Sequence, residues 1–113
     1  MVQKLLLSTK FAIIALLALN DYTLSFKIKP RELNELFKAF ASYGNIDVKY
    51  SEYFSKLIEL VDQDRKTINN YFMTNQNRSD KITNAKSLIE HVENVLKGID
   101  YFRNTPSGIY IQN

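Results

Sequence analysis

From Phe11 to Leu19 the chain reads FAIIALLAL, without one polar side chain. A helix that is apolar around its whole circumference has no solvent side and belongs inside a bundle or a membrane. Leu5–Leu7 carry the apolar character upstream, interrupted only by Ser8, Thr9 and Lys10. A spanning helix needs about 18 to 20 continuous apolar residues, and the uninterrupted run is about half that length. No small-x-small cleavage site follows in ALNDYTLS, which argues against a secretory signal. The stretch 5–19 is therefore expected as the central helix of a cytoplasmic helical bundle, with no membrane span, either capped at Ser8 or Thr9 or extended upstream through Leu5–Leu7.

The other segments read as pieces made to pack on it. Tyr22, Leu24, Phe26 and Ile28 alternate with Thr23, Ser25, Lys27 and Lys29, the period of a half-buried strand or an ordered extended loop. Pro30 suits the first position of a helix, and Glu32 suits its dipole. Leu33, Leu36, Phe37, Phe40 and Ala41 form one apolar stripe, and Gly44-Asn45 ends it, so a helix is expected over 30–43. Asp47 or Ser51 can cap a third helix bearing Tyr50, Phe54, Leu57, Ile58 and Val61. Ile68, Tyr71 and Phe72 continue a stripe as far as Met73, as one bent helix or two. The polar TNQNRSD of 74–80 reads as a loop. Ser79 or Asp80 then caps a last helix through Ile82, Ala85, Ile89, Val92 and Leu96, with Gly98 as its stop. The 113 residues fit one domain with a core large enough to need no staples.

Composition removes much chemistry. There is no cysteine, which excludes disulfides, zinc–thiolate sites and thiol nucleophiles, and His91 is the single histidine. No HExxH, calcium-loop or diiron pattern is present, and three scattered glycines make no phosphate cradle. The Asp62/Asp64 and Glu90/Glu93 pairs belong to no catalytic or metal arrangement. A non-enzymatic protein without cofactor or metal is expected. The net charge of +3 permits an anionic partner without requiring one.

After the last helix, LIEHVENVLKGIDYFRNTPSGIYI places Tyr101-Phe102-Arg103 and Ile109-Tyr110-Ile111 on either side of the turn formers NTPSG, a hairpin signal over 100–112. This order of elements resembles a winged-helix module, in which a small helical core presents one helix to DNA beside a hairpin wing. The expected fold is thus mainly α, a bundle of four to five helices over 1–113, with or without that wing.

The resemblance implies a small DNA-binding, regulatory protein, of the kind carried by mobile elements, phages or plasmids. It directs attention to DRKTINNYFMTNQNRSDK, residues 64–81. Arg65, Lys66, Arg78 and Lys81 are suited to phosphates, and Asn69 and Asn70 to base edges. Arg103 would serve the wing, and a palindromic site would ask for a homodimer. Lys27, Lys29, Arg31 and Lys38 form a second basic group. The alternative reading is a helical protein-binding module, such as an inhibitor, immunity protein or complex subunit. DNA binding needs the basic residues on one continuous face; protein binding needs an exposed apolar or tyrosine-rich patch.

Overall fold

A computed structural model describes residues 2–65 and 75–104, with side chains at 2–65 and 77–98. The elements are α1 (Val2–Ala18), α2 (Pro30–Ser42), α3 (Val48–Arg65) and α4 (Asn75–Asn104). Helices α1 and α3 each pack against the other three. The main core joins Ile13, Ile14 and Leu17 of α1, Leu33, Phe37 and Phe40 of α2, Phe54 and Ile58 of α3, and Leu88 and Val92 of α4. A smaller cluster of Val2, Leu57, Leu60, Val61 and Ala85 continues it toward the start of α1. The helical bundle expected from the periodicities is what the described residues form.

Each helix end has a local cause. Helix α1 begins at Val2, upstream of the expected cap, and inside it the Thr9 hydroxyl donates to the Leu5 carbonyl at 2.7 Å. A hydroxyl bonded back to its own helix does not cap a new one. The helix closes with Asp21 N–H on Ala18 O and Tyr22 N–H on Leu17 O, with Asp21 at φ 68°. That is the paired closure usually built around a left-handed glycine, and Tyr22 packs back on the core as its apolar partner. Pro30 opens α2 as expected, and Gly44 at φ 85° ends it. Asp47 caps α3, its Oδ1 accepting from Lys49 N–H at 3.0 Å.

Of the two forms expected for residues 22–29, the ordered loop is the one observed, with a turn at 26–27, and not the strand. Tyr22, Leu24 and Ile28 pack on the core while Phe26 turns outward, 70% exposed. The segment 74–80 is not a loop from Asn75 onward: α4 already includes Ser79 and Asp80, and Arg78 is tied back to α3. The wing fails at its first arm, since Tyr101, Phe102 and Arg103 lie within α4. Gly98 does not stop that helix; a glycine costs about 1 kcal/mol there relative to alanine, too little to break a 30-residue helix. Among the described residues there is no strand. The rest of the expected hairpin, and the stripe of Ile68, Tyr71 and Phe72, lie outside the described residues.

No described helix is long and apolar enough to cross a membrane. Helix α1 buries Thr9, Ile13, Ile14, Leu16 and Leu17, so the apolar run serves the core as expected. It does not do so on every side. Leu7, Phe11 and Leu19 remain 50%, 43% and 40% exposed.

Candidate interaction surface

Helical spacing puts Lys4, Leu7, Ser8, Phe11, Ala15 and Ala18 along one side of α1. The opposite side is spent on the core, so this side faces out. The loop after α1 folds up beside it: the Lys10 ammonium donates to the Phe26 carbonyl at 2.7 Å. That bond sets Phe26 edge-on to Phe11, with ring centroids 5.8 Å apart and planes at 81°. Two aromatic rings and Leu7 thus form an apolar patch on the surface, held by a polar tether at its edge. A contiguous patch of large apolar groups is informative where a lone exposed leucine is not.

Beside the patch, α1 meets the start of α2 and the end of α3 across a cleft. Its inner part, about 300 Å³, has Leu6, Ile58 and Val61 as floor and Pro30 as wall, with Lys29 and Arg65 among its lining. A shallower continuation of about 440 Å³ shares Leu6, Pro30 and Arg65 and adds Lys4, Leu7 and Lys10. Arg31 also borders it but is paired with Asp62. The side chains of Lys4, Lys29 and Arg65 make no ion pair with the described residues. Cations held around one cleft repel one another mildly and favour an anionic occupant.

The residues expected to contact DNA separate. Arg65 is exposed and lines the cleft. Arg78 is half-buried, and both ends of its guanidinium are engaged: Nη1 donates to Asp64 Oδ1 at 2.6 Å and Nη2 to Oδ2 at 2.8 Å. The same bond holds the Asp64 carboxyl below its ordinary range and raises the Arg78 guanidinium above its own. Arg78 is thus a structural clamp between α3 and α4. Lys81 is half-buried on α4. Lys66, Asn69, Asn70 and the Arg103 side chain lie outside the described residues. In the second basic group Lys27 and Lys29 are exposed, Arg31 is paired with Asp62, and Lys38 lies 3.7 Å from Glu35.

Sequence reasoning missed Lys4 and Lys10, and it placed Phe26 on the same side of the half-buried 22–29 segment as Tyr22, Leu24 and Ile28. The signal was available: Lys4 and Ser8, four apart, mark one side of α1 as wet. Elsewhere, His91 is half-buried and stacks on Tyr50, with centroids 4.6 Å apart and planes at 16°. Among the described residues no group of three or more His, Cys, Asp or Glu is placed to hold a metal. No family model matches the chain, and no curated protein or solved structure does either.

Proposed function

We propose that this is a non-enzymatic helical binding module that docks an acidic, amphipathic segment of another protein along the outward face of α1. The observation that carries the reading is the exposed Leu7–Phe11–Phe26 patch, in which two aromatic rings meet edge-on at the surface with Lys4, Lys10 and Arg65 beside them. Aromatic anchors inside a polar rim are the usual makings of a protein interface. Charge argues for a different partner over a second copy. A two-fold contact through this face would gather the Lys4 and Lys10 cations of both copies into one interface, whereas an acidic helix meets them favourably.

A nucleic-acid reading draws on one observation, the convergence of Lys4, Lys29 and Arg65 on a single cleft. Engagement of Arg78 by Asp64 removes one of the cations that reading relied on. One experiment separates the two. A photo-cross-linking amino acid is placed at position 11 in one sample and at position 65 in another, and the cross-linked products are sequenced. Protein binding expects position 11 to capture an acidic helical segment of a different polypeptide. Capture of nucleic acid at position 65, with no polypeptide at position 11, would replace that reading with the nucleic-acid one.

A further inference from the structure

The inner cleft has a chemistry of its own, separate from the patch. Its floor is aliphatic and largely buried: Ile58 is 6% exposed, Val61 1%, and Leu6 is half-buried between the two core clusters. Its mouth is cationic, with Lys29 and Arg65 both exposed and without an ion pair among the described residues. The acids beside them do not cancel this charge. Asp62 is committed to Arg31, leaving Glu32 alone opposite two cations. The volume of about 300 Å³ is at the lower end of that of small-molecule sites.

We infer that this cleft binds a small anionic amphiphile, a monocarboxylate with an unbranched aliphatic tail. The tail lies on Leu6, Ile58 and Val61 against the ring of Pro30, and the carboxylate meets Arg65 and Lys29 at the mouth. Each part of the ligand answers one part of the cleft. An apolar tail displaces water from a surface that cannot hydrogen-bond it. A carboxylate accepts the paired N–H groups of a guanidinium better than a neutral head does. A nucleotide or sugar phosphate fits less well, since its polar rings would desolvate on aliphatic walls without partners. The site needs neither Phe11 nor Phe26, so it stands or falls separately from the docking face.

The test uses decanoate, titrated below its micellisation concentration into the full chain labelled with ¹⁵N, at low and at moderate salt. The expected result is saturable movement of the amide signals of Leu6, Arg31 and Val61, with affinity falling as salt rises. Decanol, with the same tail and no charge, should bind at least about tenfold more weakly, and Arg65→Gln should cost about tenfold in decanoate affinity. Lys29→Gln provides a second variant at another exposed position, expected to weaken binding in the same direction. Equal binding of decanol and decanoate would overturn the inference, as would shifts confined to Phe11 and Phe26 or the absence of saturation. Unchanged affinity in both variants would overturn it as well.

Discussion

Arg78 grips Asp64 with both arms of its guanidinium, at 2.6 and 2.8 Å, and so ties the first turns of α4 to the last turn of α3. The bond lowers the Asp64 pKa from its ordinary value of 3.8. Because the folded value is the lower one, the stabilisation is complete above the unfolded value and is lost as pH falls through the folded one. Both side chains keep solvent contact, so the pair is worth roughly 0.5–1 kcal/mol at neutral pH. Asp64→Asn should therefore lower the urea midpoint at pH 7, and the gap between the two proteins should begin to close only as pH falls below about 4. Urea titrations at pH 7, 5 and 3 test this; a constant gap across all three would contradict the assignment.

Two glycines should respond to alanine with opposite signs. Added Cβ atoms at Gly44 and Gly98 would each meet nothing within 4 Å, so neither outcome is a matter of space. Gly44 sits at φ 85°, where an L side chain is strained, and Gly44→Ala should cost about 1 kcal/mol. Gly98 lies within α4, and Gly98→Ala should gain about 0.5–1 kcal/mol. Thermal melts of the two single variants decide it.

Asp21 occupies at φ 68° the left-handed position that closes α1. Glycine takes that conformation without a Cβ penalty, so Asp21→Gly should raise stability despite the added freedom of the unfolded chain, by about 0.5 kcal/mol. Asp21→Val should do the reverse, because a β-branched residue is worst there. The paired denaturation midpoints give the answer.

Among the phenylalanines, burial should set the cost of truncation. Phe54 is fully buried, edge-on to Phe37 at 6.4 Å, and Phe54→Ala should cost about 3–5 kcal/mol. Phe26 is 70% exposed, and Phe26→Ala should stay within about 0.5 kcal/mol of the parent in stability while weakening any partner bound on α1. A large stability loss in Phe26→Ala would mean that the patch belongs to the fold and is no docking surface.

Helix α2 was the most legible part of the sequence, since Pro30, the Leu33–Phe37–Phe40 stripe and Gly44 all report on neighbours within a few residues. What escaped depended on distant partners. The residues of TNQNRSD are weak helix formers, yet from Asn75 onward the chain is helical. There Arg78 has a carboxylate fourteen positions upstream in the chain. Tertiary contacts override such weak preferences routinely. The same pairing took Arg78 out of the expected DNA-contacting set, while Arg65 stayed exposed. The alternation of 22–29 was real for Tyr22, Leu24 and Ile28. It failed at Phe26 because the Lys10 tether and the turn at 26–27 carry that ring outward. The apolar run 11–19 was correctly assigned to the core, but the bundle covers only part of its circumference.

The packing of α1 against α4 bears on the order in which the protein can fold. Ile13 and Leu17 find Leu88 and Val92 only after the intervening helices have been synthesised, so the core closes last between distant parts of the chain. Contacts so far apart in sequence demand a large loss of chain entropy before they return any energy, which slows folding. Until then α2 and α3 cover only part of FAIIALLAL, and an incompletely covered apolar segment is prone to aggregate. The yield of folded protein in a cell should therefore depend on how soon α4 becomes available to α1.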